Sequence, residues 1–354
     1  MGFEIDILGV GNESKGGDAI AFRYGNLLDN KIQQKVIVVD GGYKENGDEL
    51  YELITKKYKT TQIYLAILTH PDNDHVRGLK RLFEYNDIKV DKLIMHCPWD
   101  NDDVINSDFK DGRITENSIK ERLKNTFCCA YELTEIARNK GTTIIEPCNG
   151  RYNLEMNAIL NILGPNNDWY LDKIIESDKT PLCEGTESKT WTFSASDEFE
   201  DYIQGEEVEW IYNDPHTTPI NETSVVSLFE YDNIRVLFTG DVGREGLKLA
   251  VEEAENRNLS INDLTIFISP HHGSRKNITP ELMDIIKSDY TFLSTPKKGD
   301  PHHPSRRLVN KFIEKGHQVF SNDGITMHWG KDCPERNWNK KIKLSYHKKI
   351  ERNA

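Results

Sequence analysis

Long apolar runs are missing from this 354-residue sequence. Its most hydrophobic stretches, such as Ile63 to Leu68, are far shorter than the roughly 20 residues a membrane-spanning helix needs. Paired cysteines are missing as well. Cys97, Cys128, Cys129, Cys148, Cys183 and Cys333 include no C-x-x-C spacing, which argues against a zinc ribbon or a dense disulfide framework and for reduced thiols. The opening Met1-Gly-Phe-Glu-Ile-Asp6 has two acids and no cationic or apolar leader, so neither a signal peptide nor myristoylation is expected, and the expected compartment is the cytoplasm. Internal repeats and low-complexity tracts are absent. An overall basic balance is absent too: 45 Lys and Arg face 58 Asp and Glu, a net charge of −13, which makes the whole a poor non-specific binder of nucleic acid.

That charge is unevenly divided. Residues 270–354 carry 17 basic against 9 acidic residues, and residues 1–269 carry 28 against 49, so a local basic face can still receive a phosphate. Hydrophobic residues make up 37% and charged residues 29% of the chain. A sizeable core is therefore available and global disorder is excluded. Residues 3–8 alternate as a half-buried strand, and Gly9, Gly11, Gly16 and Gly17 supply turn chemistry before a second strand from Ala19 to Tyr24, an opening hairpin with a loop. Continuous β-branched or apolar runs at Val36–Val39, Ile63–Thr69, Lys92–His96, Ala158–Leu163, Ile234–Asp241 and Leu264–Ser269 read as buried strands. Helices are expected over Asp48–Tyr58, Gly78–Asn86, 114–140 and Arg244–Asn256. Strands alternating with helices predict a layered α/β fold. The segment 98–220 reads as an insertion within a domain covering 1–330, with a strongly acidic excursion at 184–214. A basic extension, 331–354, preceded by Trp329, mixes Trp338 and Tyr346 with lysines, and its Ile342-Lys-Leu-Ser-Tyr346 alternates like an edge strand.

The chemistry gathers where strands stop. Asp40 follows Val36–Val39; His70-Pro-Asp72-Asn-Asp74-His75 follows Ile63–Thr69; Asp241 follows Ile234–Gly240; and His271-His272 follows Leu264–Ser269. Donors at the tips of adjacent strands can converge, and divalent cations need such convergence of His and carboxylate groups. In the H-x-D-x-D-H run, His70 with Asp72 could serve one metal, and Asp74 with His75 a neighbouring one.

Asp40-Gly-Gly, Thr69-His70-Pro-Asp-Asn-Asp-His75-Val-Arg-Gly-Leu79, Thr239-Gly-Asp241 and His271-His-Gly-Ser274 resemble the metallo-β-lactamase superfamily over roughly residues 3–330. Gly17-Asp18-Ala19, Asp72 and His303-Pro304 look most like the branch that contains the nuclease domain of the bacterial competence DNA-uptake protein. The resemblance implies a four-layer αββα sandwich with two divalent metal ions, manganese or zinc, along one edge. It implies His70, Asp72, Asp74, His75, Asp241 and His272 as ligands, with Asp241 bridging and His271 competing with His272. Asp40 would support the ligand loop. Where most of the superfamily has a further ligand His, this sequence has Asn221-Glu-Thr-Ser224, with His216 the nearest histidine. Asn221 is therefore the expected supplement to an oxygen-rich set suited to manganese.

The implied activity is phosphodiester hydrolysis by a soluble nuclease, with Asp74 orienting the attacking water. His271, His303 and Ser274 would touch the phosphate or protonate the leaving alkoxide. Arg275, Lys276, Lys297, Lys298, Arg306 and Arg307 form the expected rim for an anionic substrate. Two other readings stand beside it: a phosphodiesterase of cyclic or oligonucleotide messengers, and a weakly active metal-bound regulatory subunit. Nucleic acid or a nucleotide is the expected partner, with a protein partner or a second copy of the chain also open and no membrane partner.

Overall fold

The computed structural model describes residues 1–11, 16–29, 33–101, 116–177, 202–204, 217–296, 303–336 and 342–351. Two mixed sheets form its centre. The first contains β1 (Gly2–Ile7), β2 (Ala19–Asn26), β3 (Gln33–Gly41), β4 (Gln62–Ile67), β5 (Lys89–Ile94), β6 (Thr143–Ile145) and, from far down the chain, β15 (Met327–Lys331), in the order β15-β1-β2-β3-β4-β5-β6. The second contains β7 (Gly150–Asn153), β8 (Ile159–Gly164), β10 (Val226–Tyr231), β11 (Ile234–Phe238), β12 (Leu264–Ile268), β13 (Ser288–Leu293), β14 (Val319–Ser321) and β16 (Ile342–Lys343), in the order β16-β14-β13-β12-β11-β10-β8-β7. A separate pair joins β9 (Tyr202–Gln204) to β17 (Lys349–Glu351).

The runs that read as buried strands are apolar on both faces because each sheet is covered on both. Along β3, Ile37 and Val39 pack between the sheets with Phe3, Phe22, Phe229 and Phe238. Val36 and Val38 point the other way, against the helices α1 (Lys44–Glu52) and α2 (Asn73–Glu84), where Leu50, Leu79 and Leu82 lie. Beyond the second sheet, α7 (Arg244–Asn256) and α9 (Arg306–Glu314) bury Leu247, Val251, Leu308 and Phe312 against Leu228, Leu237 and Phe267. Three apolar layers separate four structural ones, the αββα sandwich. In the central layer Phe22 stacks on Phe238 at 5.4 Å and meets Phe229 edge-on at 4.9 Å.

The remaining helices are α3 (Glu116–Thr126), α4 (Cys128–Asn139), α5 (Asn167–Glu176), α6 (Pro219–Glu222) and α8 (Pro280–Ile285). The single helix expected over 114–140 is thus two, broken at Phe127, whose backbone (φ −105°, ψ 41°) leaves the helical region. The helix expected at Asp48–Tyr58 begins earlier, at Lys44, and passes at Leu53–Lys57 into a wider π turn. The segment 98–220 supplies β6 to one sheet and β7 and β8 to the other. Most of the acidic excursion 184–214 lies outside the described residues. In the C-terminal extension, Ile342–Lys343 pairs with β14 at the edge of the second sheet, and no helix among the described residues is long and apolar enough to cross a membrane.

The most consequential shift concerns α2, expected from Gly78 but starting at Asn73. Asp72 is extended and precedes it, and Asp74 lies in the first turn, where an acid is favoured by the unpaired backbone amides. Half of the H-x-D-x-D-H run is therefore on a rigid helix and not in a loop. That helix docks on β3 at backbone distance. A Cβ on Gly78 would stand 1.8 Å from the Gly41 carbonyl oxygen, and the Gly78 amide donates to Gly42 at 2.9 Å. Gly78→Ala should therefore destabilise the protein in a denaturant titration although alanine favours helix by about 1 kcal/mol; an unchanged or raised midpoint would refute this close packing.

Candidate metal centre

Asp40 ties three elements together. It sits at the end of β3 with a left-handed backbone (φ 57°), fully buried. Its Oδ1 accepts the Thr69 amide at 2.8 Å, and its Oδ2 accepts the Thr69 hydroxyl at 2.6 Å and faces His75 Nδ1 at 2.8 Å. A carboxylate only accepts, so His75 Nδ1 carries the hydrogen and Nε2 presents its lone pair. The same logic runs one step further. The Thr69 hydroxyl gives its single hydrogen to Asp40, so at 3.0 Å it accepts from His70 Nδ1, and His70 Nε2 is left as a donor of electrons.

Both of these nitrogens face Asp241, which follows β11. His75 Nε2 stands 3.5 Å from Asp241 Oδ1, and His70 Nε2 stands 3.9 Å from Oδ2. His272 Nε2 also approaches Oδ1, at 3.6 Å, and His271 Nε2 approaches Oδ2, at 3.6 Å. His271 is oriented by Asn277, whose amide nitrogen donates to the Asp241 and Val242 carbonyls while its oxygen lies 3.2 Å from His271 Nδ1. The two histidines expected to compete thus address different oxygens of one carboxylate, a consequence of consecutive left-handed residues at φ 47° and 54°.

Asp18 completes the arrangement and was not among the expected site residues. Its carboxylate lies 3.6 Å from His272 Nδ1, and Asp18, Asp241 and His272 place donor atoms within 4.8 Å of one another, as do Asp74, His75 and His272, and His70, His75 and Asp241. The sequence signal is Gly17-Asp18-Ala19, which marks the resemblance to the competence nuclease branch without assigning Asp18 a place in the site. A Cβ on Gly17 would meet the Asp74 carbonyl oxygen at 2.3 Å, and one on Gly16 would meet the His272 ring at 3.0 Å. The glycines let the hairpin close on the cluster.

Six atoms at this centre, Asp18 Oδ1, His70 Nε2, His75 Nε2, Asp241 Oδ1 and both ring nitrogens of His272, are buried without a hydrogen bond. Buried polar groups are ordinarily paired, and leaving one unmade costs about 1–3 kcal/mol. Carboxylate oxygens and imidazole nitrogens with free lone pairs are the donor set of a divalent cation, so the residues fit a metal site. The electrostatics agree. Burial pushes the Asp241 carboxyl up, but His271, His272 and His75 outweigh it and hold it well below the usual range. Burial opposes charge on His272, yet Asp241 and Asp18 raise it to about 9, while burial dominates at His70 and lowers it.

The other nominated residues divide. Asp72 is half-buried and close enough to raise the His70 pKa, without joining the three-donor groups. His303 lies beside the cluster, its ring 5.0 Å from His271. Asn221 makes its hydrogen bonds in its own turn, with Thr218 at 2.8 Å and Thr217 at 3.1 Å, and not with the donor cluster. Ser274 is buried and accepts the Lys276 amide. Arg275 and Lys276 are half-buried on the loop after His272. Arg307 is not an open rim cation: it is 5% exposed and donates to the Glu351 carbonyl, and the Glu351 carboxylate accepts the Arg306 and Arg307 amides. Lys297, Lys298 and His216 lie outside the described residues.

Residues 27–121 match the family described as the Metallo-beta-lactamase superfamily, a stretch that includes Asp40, the His70–His75 run and α2. No curated protein matches the chain. Among solved structures, the metallo-beta-lactamase fold protein YhfI from Bacillus subtilis is 9% identical, with 93% of this chain and 99% of that chain covered and a TM-score of 0.47. A diphosphatase from the PhnP family is 11% identical, with 93% and 98% covered and a TM-score of 0.42. Igni18, a metallo hydrolase from Ignicoccus hospitalis, is 10% identical, with 92% and 98% covered and a TM-score of 0.42.

Two outcomes follow from this geometry. Asp40→Ala, which frees the His75 ring and the Thr69 hydroxyl, should weaken metal binding by about 10–100-fold, as loss of such supporting carboxylates does; calorimetric titration with zinc or manganese giving the parental affinity would refute the role. Glu222 in α6 is buried and accepts the Gly246 amide at the start of α7 at 2.8 Å, and burial raises its carboxyl to about 7. The folded protein therefore holds this proton up to a higher pH than the unfolded chain, and stability contributed by the neutral acid is lost as pH rises from about 4.5 through 7. Relative to Glu222→Gln, the parent should lose up to about 3 kcal/mol across that window in denaturant titrations; parallel pH profiles would refute it.

Proposed function

We propose that the chain is a metal-dependent phosphodiesterase, a hydrolase whose first substrate class to test is DNA. The observation that carries this reading is the Asp241 carboxylate, whose two oxygens face different pairs of imidazole nitrogens, His75 with His272 and His70 with His271. One divalent cation would be held on the Oδ1 side by Asp241, His75, His272, Asp18 and Asp74, and a second on the Oδ2 side by Asp241, His70 and His271, with Asp72 nearby. Bound there, two cations supply Lewis-acid polarisation of a phosphoryl oxygen and acidification of a water molecule.

The protein's own groups do the rest. Asp74, half-buried at the first turn of α2, orients the attacking water. His303, at the rim beside His271, gives a proton to the leaving alkoxide. Arg275 and Lys276 attract the anionic substrate, a local basic contribution that a lactam would not need. The carboxylate content favours manganese at least as much as zinc. Resemblance to the competence nuclease branch in Gly17-Asp18-Ala19 and His303-Pro304 supports nucleic acid as the partner. A smaller substrate, a cyclic or linear oligonucleotide messenger, is favoured by one observation: Arg306 and Arg307 bond to the C-terminal segment, which shortens the cationic rim.

The metal-loaded protein should cleave bis-para-nitrophenyl phosphate and plasmid DNA with manganese at least as fast as with zinc. Asp74→Ala and His75→Ala should each lower the rate by at least about a hundredfold, since removing a group that orients or holds the reactive assembly removes most catalysis. Cleavage of dinucleotides in preference to plasmid would select the messenger reading. Full turnover in the Asp74 variant would remove its assigned role, and absence of phosphodiester cleavage by a protein holding both metals would overturn the proposal.

A further inference from the structure

A second set of metal-type donors lies on the outer face of the first sheet. Glu4 on β1 is opposite Gly330 on β15, Asp6 is opposite His328, and Arg23 on β2 is opposite Glu4 from the other side. Counting along β2 from Asp18 to Arg23, this set is roughly 15 Å from the Asp241 centre. Glu4 and Asp6 are fully buried. Arg23 and Arg336 both pair with Glu4 Oε1, Arg336 at 2.9 Å. Glu4 Oε2 is left buried with no hydrogen-bond partner.

That free oxygen faces His328 Nε2 at 3.6 Å, too far for a hydrogen bond, and the Cys333 thiol closes the group, the three donor atoms lying within 4.8 Å of one another. His328 Nδ1 lies 3.1 Å from Asp6 Oδ1, and a carboxylate there fixes the hydrogen on Nδ1 and turns the Nε2 lone pair toward Glu4 and Cys333. A carboxylate behind a histidine in this manner is the usual support of a metal-ligand imidazole. The space is made by Gly330. A Cβ at that position would stand 2.3 Å from Cys333 Sγ and 3.3 Å from His328 Nε2.

We propose that Glu4, His328 and Cys333 form a second, independent binding site for a thiophilic divalent cation of the zinc class. One thiolate, one imidazole and one carboxylate oxygen are a zinc donor set, and neighbouring donors around a tetrahedral zinc stand roughly 3.3–3.8 Å apart. The Glu4 to His328 separation falls in that range. Binding displaces the thiol proton of Cys333 to solvent, so the thiolate brings one negative charge to the ion. Its structural effect is to fasten the turn after β15 to β1, at the edge where the chain's two distant ends meet.

Cobalt(II) titrated into the metal-free full chain is the probe, read by sulfur-to-cobalt charge-transfer absorption. His75→Ala with Asp241→Ala, which disables the strand-tip centre, should keep the band at one equivalent, and adding Cys333→Ser should abolish it. Gly330→Ala should weaken it by displacing the thiol. Should the double variant fail to fold, zinc content of the parent against Cys333→Ser alone supplies the same reading, with a loss of one equivalent expected. In the parent, bound zinc should also protect Cys333 from alkylation by iodoacetamide, mapped by mass spectrometry. No charge-transfer band, a band undiminished in Cys333→Ser, or alkylation unaffected by zinc would overturn the site, whatever the outcome for phosphodiester cleavage.

Discussion

The buried carboxylate of Asp40 is the constraint on which the centre depends. It lies at the tip of β3, and both oxygens are committed to the next strand and the next helix: the Thr69 amide, the Thr69 hydroxyl and the His75 ring. Because a carboxylate cannot donate, the direction of every hydrogen in this network follows, and with it the side of the His70 and His75 rings that faces Asp241. A strained left-handed backbone at Asp40 is tolerated because three bonds hold it, the situation in which such conformations persist at functional sites.

Backbone approach is the second constraint, and it explains where the glycines fall. Gly41 and Gly78 bring α2 against β3, and Gly17 brings the opening hairpin against Asp74. Each contact is too close for a side chain, so the two carboxylates that follow or precede them, Asp18 and Asp40, are delivered to the cluster by backbone and not by long flexible side chains. That precision matters because ligand positions must hold within a fraction of an ångström.

Much of this was legible in the sequence, and the misses have physical causes. Strands buried on both faces advertise themselves as continuous apolar runs, so β3, β4, β11 and β12 and the donors at their tips could be read directly. The start of α2 could not, because Asp72-Asn-Asp-His75 has the composition of a loop, and only tertiary docking at Gly78 extends the helix back through it. The Gly17-Asp18-Ala19 motif carries a resemblance but no role for Asp18, because what places its carboxylate in the site is His272, more than 250 residues away in the chain. Arg307 illustrates the converse, a cation buried where an open one is expected. Positive charge near a ligand motif suggests a substrate rim, but Glu351, which accepts from the Arg307 amide and whose carbonyl accepts from its guanidinium, is far along the sequence.

Charge balance separates the two polar clusters of the first sheet. At the β1 edge, Glu4 and Asp6 face two guanidiniums, Arg23 and Arg336, so the set is neutral before any ion arrives. The one negative charge that can be added there against a divalent cation is the Cys333 thiolate, which limits the site to metals that favour sulfur. At the strand tips, Asp18, Asp40, Asp74 and Asp241 gather around imidazoles: Asp18 and Asp241 face histidine nitrogens, and Asp40 bonds to the His75 ring and to the Thr69 hydroxyl and amide. Buried carboxylates facing only imidazoles either protonate those rings, as the raised His75 and His272 pKa values record, or take up divalent cations in place of the protons. The same excess of negative charge that draws protons to these imidazoles is what suits the cluster to the two divalent cations proposed for it.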